Sequence, residues 1–305
     1  MYVTKRLGVI GAEIDGLDLE KNDDAMYAQI DSLLMEHQVL FFRDQDISHE
    51  SHKRMATRFG VVKPHPAYKT VEDFPEITIL ESTAEAPSKI ECWHSDMTYS
   101  ENPPLGTILR SRIVPEIGGD TMWSSMTAAY EGLSANMKQM LGSLYAVHDF
   151  THGFKETLST AEGREKLKEA IIDNPPVQHP VINLHPVTNK PCIYVNELFT
   201  TRILGIPKLE SESILNFLFK HIQTPEYTCR FNWSSNCVVL WDNRCTQHKP
   251  INDYFPAHRK LERITVESGN YFESWKNLRI FLAIKFLSAV FLLRENFASL
   301  ICLFE

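Results

Sequence analysis

The chain has 305 residues, of which 43% are hydrophobic, and a formal net charge of −8 at pH 7. A chain of this length can bury a large hydrophobic core, and single β-barrel domains commonly reach this size. The negative charge argues against a general nucleic-acid-binding protein, because such a protein needs a basic surface to hold phosphates.

The cysteines and the N-terminus indicate the cellular compartment. The six cysteines, at positions 92, 192, 229, 237, 245 and 302, form no CxxC pair and no disulfide framework. They are typical of reduced thiols in a cytoplasmic protein. Glu13, Asp15 and Asp18 lie where a secretory signal peptide needs an unbroken apolar stretch, so we expect no secretion.

Two helices and several strands are predicted in the first half of the chain. Asn22 or Asp23 can cap the first helix, whose apolar residues at 26, 30, 33 and 34 form one stripe. Ser48 can cap the second helix, which ends at Gly60. The predicted strands are short pieces within 7–19, the segments 39–42, 76–80 and 108–113, and a strand that follows the turn at 118–119.

Helices and strands also alternate irregularly in the second half. Two helical stretches cover 126–141, a charged helix covers 160–172, and Ser211 can cap an amphipathic helix that reaches Ile222. The predicted strands are 144–148, the hairpin of 181–185 with 192–195, and the final segments 227–233, 238–241 and 260–266.

This order of elements predicts a mainly β fold with helical insertions. Many strands without a regular βαβ alternation are typical of an antiparallel double-sheet jelly roll, also called a double-stranded β-helix. We find no internal repeat, low-complexity segment or Gly/Ser linker. Residues 1–268 are therefore predicted to form a single domain.

His94 and Asp96 form the only His-x-Asp or His-x-Glu pair in the chain. On an extended segment, side chains two residues apart lie on the same face. With a second imidazole from the distant His248, they would make the 2-His-1-carboxylate set of non-haem Fe(II) oxygenases, which leaves half of the coordination sphere open. Taken alone, the pair also fits a hydrogen-bonded pair at the surface or a histidine of the core.

Seven blocks of residues resemble the taurine dioxygenase family of Fe(II)/2-oxoglutarate-dependent dioxygenases. Their order and spacing agree with that family from about residue 5 to residue 268. The blocks are 41–45, 65–68, 93–96, 118–123, 195–197, 241–248 and 259–263. The resemblance implies that His94, Asp96 and His248 bind Fe(II), and that 2-oxoglutarate and O2 occupy the open positions. Trp93, Thr246 and Gln247 would help to orient these ligands.

The far carboxylate of 2-oxoglutarate needs a planar cation with two donors, which favours arginine over lysine. Arg259 lies where the family keeps that arginine, and by resemblance Thr121 adds a hydroxyl to the same carboxylate. Without the resemblance, Arg259 fits equally well as a surface charge between His258 and Lys260. If 259–263 is a strand, Arg263 shares a face with Arg259, and the family places it at the anionic group of the substrate.

The resemblance also implies a substrate pocket for a small anion. The family positions are occupied here by His65, Tyr68, Phe154 and Phe199, together with Arg263. Two positions depart from the pattern, because Ile90 replaces an asparagine and Gly153 replaces a serine. Both changes remove polar groups, which weakens discrimination for a polar ligand. We therefore predict a sulfonate such as taurine, or a related alkyl sulfate or aryloxy carboxylate.

Residues 269–305 extend beyond the family pattern. The apolar run at 280–293 contains Lys285 and has about fourteen residues, fewer than the ~20 of a membrane span. We expect an amphipathic or buried helix rather than a membrane anchor, and the role of the extension is open. The family suggests a homodimer or homotetramer. A zinc hydrolase and an inactive metal-binding relative are the alternative functions.

Overall fold

The computed structural model describes residues 2–21, 23–65, 68–88 and 90–267. The predicted extension at 269–305 lies outside these ranges, as do Asn22, Pro66 and Ala67. The strands are β1 Tyr2–Arg6, β2 Ala12–Asp15, β3 Val39–Phe42, β4 Val61–Val62, β5 Thr70–Val71, β6 Phe74–Ser82, β7 Gly106–Ile113, β8 Thr121–Ser125, β9 Tyr145–His148, β10 Val177–Pro180, β11 Ile182–Leu184, β12 Pro191–Ile193, β13 Thr200–Ile203, β14 Thr228–Phe231, β15 Val238–Asp242, β16 Thr246–Pro250 and β17 Arg259–Glu267.

The α-helices are α1 Asp24–His37, α2 His49–Phe59, α3 Met126–Glu131, α4 Ala135–Leu141, α5 Phe150–Gly153, α6 Lys155–Leu158, α7 Ala161–Lys166, α8 Lys168–Asp173 and α9 Lys208–His221. Two of the predicted caps are confirmed. Asp23 accepts a hydrogen bond from the Met26 amide at the start of α1, and Ser48 accepts one from the Ser51 amide at the start of α2. Each cap satisfies an amide that has no partner within its helix.

Two sheets form the centre of the fold. Within the described residues, the larger sheet has the order β1-β2-β3-β15-β7-β17-β6-β5, with β4 paired to β17, and the smaller one has the order β14-β8-β16. Pairing in both sheets is antiparallel, except for β2 with β3. The predicted double-stranded β-helix with helical insertions is confirmed.

A cluster of aromatic side chains packs between the two sheets. Phe41 of β3 stacks on Phe231 of β14 with ring centroids 4.3 Å apart, and meets Trp123 of β8 edge to face at 5.3 Å. Val239 and Trp241 of β15 belong to the same cluster. This inner core fixes the distance between the sheets and therefore the space in which a site can form.

Helices α1 and α2 cover the other face of the larger sheet. Val238 and Leu240 of β15 pack there against residues of both helices, including Ile30 and Met55. Because successive side chains of a strand point to opposite faces, β15 is buried on both sides. This explains why its sequence is a continuous apolar run rather than an alternating one.

Two predictions about individual elements were wrong, and several strands, among them β1, β10 and β13, were not predicted. Ser211 does not cap α9, which begins at Lys208; its hydroxyl instead accepts a hydrogen bond from the Ile203 amide. The predicted helix over 160–172 is divided into α7 and α8 at the buried Leu167. Strand β16 was missed, because its sequence is polar and its pairing with β8 depends on the tertiary fold.

No helix within the described ranges has the length and apolarity that crossing a bilayer requires.

Replacing Phe231 by alanine should lower the free energy of unfolding by about 3–5 kcal/mol, because a buried ring is removed from between the sheets. Urea denaturation measures this change. Leu209→Ala is the matched control, since the Leu209 side chain is exposed; it should shift the free energy by no more than about 0.5 kcal/mol. Equal effects of the two substitutions would contradict this account of the core.

Candidate active site

Two backbone hydrogen bonds bring His94 and His248 together. The His94 amide donates to the His248 carbonyl at 3.0 Å, and the His248 amide donates to the His94 carbonyl at 2.8 Å. This isolated antiparallel bridge joins the segment before β7 to β16, and the two imidazole rings lie 4.2 Å apart. The bridge therefore places side chains from two distant parts of the sequence side by side.

The carboxylate of Asp96 completes a group of three possible metal ligands. Asp96 Oδ1 lies 3.9 Å from His94 Nε2 and 4.0 Å from His248 Nε2, and all three side chains are buried. His94 Nδ1 lies 3.1 Å from the Cys92 carbonyl oxygen, to which it can donate. That contact places the proton on Nδ1 and leaves the lone pair of Nε2 directed at the centre of the group. Two nitrogens and one oxygen in this arrangement suit a divalent first-row transition metal.

The local charges favour the metal-binding forms of these side chains. Burial by itself would raise the pKa of the Asp96 carboxyl, but the Arg263 guanidinium and the two imidazoles hold it well below its usual range. Burial lowers the pKa of His248 to about 3 and also lowers the pKa of His94. Near neutral pH the carboxylate is therefore ionised and both imidazoles are neutral, as metal binding requires.

Asn243 holds the backbone of Asp96. Its Oδ1 accepts from the Asp96 amide at 2.7 Å, and its Nδ2 donates to the Asp96 carbonyl at 2.9 Å. The neighbouring Ser95 hydroxyl donates to the Thr246 carbonyl at 2.7 Å, and the Thr107 hydroxyl donates to Asp96 Oδ2 at 2.9 Å. Neither Asn243 nor Thr107 was predicted as a site residue. Asn243 lies inside the block 241–248, but its partner is visible only in the fold.

A buried charge network supports the turn that carries Asn243. Asp242 accepts two side-chain hydrogen bonds from Arg244, at 2.8 and 2.6 Å, and one from His185 Nε2 at 2.8 Å. His185 Nδ1 accepts from the amides of Val187 and Thr188, so the ring proton is on Nε2. Although His185, Asp242 and Cys245 lie close enough for a metal, neither ring nitrogen of His185 has a free lone pair. We interpret this cluster as structural.

Arg259, which was predicted to bind the far carboxylate of 2-oxoglutarate, is buried. Its Nε donates to the Gly119 carbonyl at 3.1 Å and a terminal nitrogen lies 3.4 Å from the Thr121 hydroxyl, which also accepts from Trp233. No carboxylate of the described residues lies within 4.0 Å of its guanidinium. Gly119 has a φ of 73°, and a Cβ there would lie 3.2 Å from Arg259 Cδ, so glycine lets the turn approach the arginine. The guanidinium carbon also lies 5.7 Å from the centroid of the Tyr254 ring, and the Asp120 charge acts on it without forming an ion pair. The site thus offers a buried cation beside a hydroxyl.

Arg263 connects the metal-binding group to the predicted substrate residues. Its guanidinium lies 3.3 Å from Asp96 Oδ1 and over the ring of Tyr68, 5.5 Å from the centroid. The His65 ring contacts Tyr68 at 4.7 Å. Burial and the nearby Arg263 charge lower the pKa of His65 to about 3. His65, Tyr68 and Arg263 thus form one contact cluster beside Asp96.

The remaining predicted residues form an aromatic wall. The ring of Phe199 meets that of Tyr99 edge to face at 4.9 Å, and Phe154 stacks on Phe150 at 4.4 Å. A Cβ at Gly153 would lie 2.3 Å from Phe199 Cε1. A serine at position 153 would therefore displace the Phe199 ring, a steric consequence that the sequence did not reveal. Tyr99 belongs to this wall but was not predicted as a site residue.

Comparison with known proteins gives consistent matches over most of the chain. A family profile described as "Taurine catabolism dioxygenase TauD, TfdA family" matches residues 3–265. The chain is 35% identical to a protein of Acinetobacter baylyi named alkylsulfatase, over 87% of this chain and 84% of that protein. It is 31% identical to an alpha-ketoglutarate-dependent sulfate ester dioxygenase of Pseudomonas putida, over 85% of this chain and 87% of that protein. The crystal structure of a taurine dioxygenase from Burkholderia xenovorans superimposes with a TM-score of 0.75 at 34% identity, over 88% of this chain and 89% of that one.

Replacing Asn243 by alanine should weaken divalent-metal binding by about ten- to a hundred-fold, because Asp96 loses both hydrogen bonds that hold its backbone. Anaerobic titration with Co(II), followed by its visible absorption, measures the affinity. Asn174→Ala is the matched control, since the Asn174 amide bonds only the Ala170 carbonyl at the end of α8. Wild-type affinity in a folded Asn243→Ala protein would show that the clamp does not position the carboxylate.

Proposed function

Because the chain belongs to the TauD/TfdA family of 2-oxoglutarate-dependent dioxygenases, we propose that it hydroxylates a small organosulfur anion, with sulfonates such as taurine as the first candidates. The observation that carries this proposal is a pair of buried arginines: Arg263 contacts Asp96, and Arg259 lies beside Thr121 on β8, the strand that pairs with the His248 strand β16. Two cations beside one open metal site suit two anions, a co-substrate and a substrate.

We assign His94, Asp96 and His248 as the metal ligands. The cofactors of the reaction are Fe(II), 2-oxoglutarate and O2. When bound, Fe(II) supplies the oxidative chemistry by which 2-oxoglutarate becomes succinate and CO2 and one oxygen atom of O2 enters a substrate C–H bond. The protein contributes the orientation of the ligands through the His94–His248 bridge and the Asn243 clamp. It also keeps the three ligands in a buried environment.

Arg259 and Thr121 are assigned to the far carboxylate of 2-oxoglutarate. A guanidinium can donate two parallel hydrogen bonds to a carboxylate, and a buried cation without a carboxylate neighbour gains most from such a partner. Burial lowers the pKa of Arg259, which expresses the cost of keeping this charge out of water. A bound carboxylate would offset that cost.

Arg263 is assigned to the sulfonyl group of the substrate, in a pocket lined by His65, Tyr68, Phe154 and Phe199. Hydroxylation of the carbon bonded to sulfur gives an α-hydroxysulfonate. This compound breaks its C–S bond to release an aldehyde and sulfite. The aromatic wall would hold the organic part of the substrate, and Arg263 would keep the sulfonyl group at the opposite end.

An alkyl sulfate ester is the second candidate substrate class, supported by the names of the A. baylyi and P. putida relatives. The same hydroxylation, on the carbon bonded to the ester oxygen, releases an aldehyde and sulfate. Both classes present three sulfonyl oxygens to Arg263. They differ in the inorganic product, which separates them experimentally.

We further propose a cytoplasmic enzyme with one catalytic domain at 1–268. Cys92, Cys192, Cys229, Cys237 and Cys245 form no disulfide, which supports a reducing compartment. The homodimer or homotetramer implied by the family stays a prediction.

Anaerobic addition of Fe(II) and 2-oxoglutarate to the protein should produce a weak visible charge-transfer band, because the co-substrate chelates the iron that the three side chains hold. His94→Ala should abolish this band, whereas His258→Ala should keep it, since the His258 ring is exposed and pairs with Glu81 rather than with the three candidate ligands. A zinc hydrolase would give no band with either protein. Absorption spectroscopy under argon makes the measurement.

Succinate release across a panel of alkanesulfonates, alkyl sulfates and aryloxy acetates should be largest with one of the sulfonyl classes. Arg263 and the aromatic wall favour an anionic head group with an apolar tail. Assays of sulfite and sulfate then assign the class. Turnover confined to the aryloxy acids would reject the organosulfur proposal while leaving the dioxygenase chemistry intact.

A further inference from the structure

Tyr99 lies three residues after Asp96 and is almost completely buried, with 1% of its surface exposed. Its ring meets those of Phe150 and Phe199 edge to face, with centroids 5.0 and 4.9 Å away. These two contacts fix the plane of the ring. The phenol is therefore rigidly positioned beside the candidate metal group.

The hydroxyl of Tyr99 is buried and has no hydrogen-bond partner among the described residues. Buried polar groups in folded proteins are nearly always paired, and an unpaired one calls for an explanation. Phenylalanine would keep both ring contacts without burying a hydroxyl. The presence of tyrosine is therefore not explained by packing.

The Tyr99 ring contacts Phe199, one of the predicted substrate residues, and the charges of the neighbouring site residues act on its hydroxyl. Burial raises the pKa of Tyr99, the Arg263 charge opposes the shift, and Asp96 and Tyr68 reinforce it. Arg263, Asp96 and Tyr68 are the groups that surround the proposed sulfonyl position. Because the phenol stays neutral, it is available as a hydrogen-bond donor.

The Asp96 carboxylate does not need this donor. Its Oδ2 accepts from Thr107, and its Oδ1 faces Arg263. A neutral donor beside a cation complements an anion that carries several acceptor oxygens. A sulfonate, like the terminal group of a sulfate ester, has three such oxygens arranged around sulfur, and the planar guanidinium of Arg263 can pair with only two of them side by side.

We propose that the Tyr99 hydroxyl donates a hydrogen bond to a sulfonyl oxygen of the substrate and is a specificity-determining residue. This inference rests on the proposed function, since it takes a sulfonyl anion as the ligand. Tyr99 and Arg263 would then hold different oxygens of the same group. Such a pair fixes the rotation of the sulfonyl group and thus the carbon that reaches the metal centre.

The test compares Tyr99→Phe with the wild-type enzyme on the sulfonyl substrate that the wild type turns over best. Loss of one hydrogen bond to a charged group should raise the KM for that substrate by about ten-fold or more. The KM for 2-oxoglutarate and the Co(II) affinity should not change. The thermal unfolding midpoint without substrate should stay equal or rise, because no protein hydrogen bond is removed.

Tyr27→Phe is the matched control. Tyr27 is also buried, with its ring edge to face on Phe59 in the core beneath α1. Its substitution should leave the substrate KM unchanged. An effect of equal size in both variants would overturn the proposal, because it would indicate a general response to loss of a buried hydroxyl.

Isothermal titration calorimetry measures the binding of ethanesulfonate and of ethyl sulfate to the protein loaded with Co(II) and 2-oxoglutarate. It distinguishes a failure of the role given to Tyr99 from a failure of the proposed function. Binding by the wild type with a Kd unchanged in Tyr99→Phe would refute the role of Tyr99 alone. A lowered unfolding midpoint with an unchanged Kd would refute it as well. If the wild type neither binds nor turns over any sulfonyl anion, the proposed function fails and the inference fails with it.

Discussion

The two backbone hydrogen bonds between His94 and His248 are the constraint on which the rest of the site depends. They join an irregular segment to the edge of a three-stranded sheet, and among the strands that the structure describes no other pairing brings these residues together. Because these hydrogen bonds join the backbones of the two residues, they fix the positions from which both imidazole side chains extend, whether or not a metal is bound. Asp96 follows His94 by two residues, and Asn243, in the turn that precedes β16, hydrogen-bonds the backbone of Asp96. The ligand set is thus preorganised by hydrogen bonds rather than by the metal.

The second requirement of the site is that its buried charged side chains have partners of opposite charge. Asp96 is paired with Arg263 and Thr107, and Asp242 with Arg244 and His185, so each buried carboxylate has its partners within the protein. Arg259 differs, because its neighbours are the Gly119 carbonyl, the Thr121 hydroxyl and the Tyr254 ring, and the Asp120 charge acts on it without an ion pair. A buried ion is tolerated at low cost only when an opposite charge is near. The difference between these ion pairs and Arg259 supports the proposal that a co-substrate carboxylate binds there, although the overall charge of the protein is negative.

Packing sets the limits of the pocket. The inner cluster around Phe41, Trp123 and Phe231 determines the separation of the sheets, and the aromatic wall packs around Tyr99, three residues after Asp96. Gly153 shows how closely that wall is packed, since even a Cβ would overlap Phe199. The sequence shows that Gly153 lacks the hydroxyl of the serine in the family pattern. The structure adds that any larger side chain there would clash with Phe199. In an interior packed this densely, even one added atom forces neighbouring side chains to move.

Much of this protein follows from the sequence by itself. The continuous apolar run of β15, the caps at Asp23 and Ser48, and the overall mixture of strands and helices are local patterns, and each predicted its element. The ligand types at 94, 96 and 248 and the arginines at 259 and 263 were also recognisable, because their spacing repeats that of a known family. Strand β16, the clamp from Asn243, the true start of α9 and the burial of Tyr99 were decided only by the tertiary structure. Strand β16, the Asn243 clamp and the burial of Tyr99 each depend on a partner far away in the chain, and a local pattern carries no information about which distant amide, carbonyl or ring will lie beside it. For α9, the Ser211 hydroxyl bonds the Ile203 amide eight residues earlier instead of capping the helix.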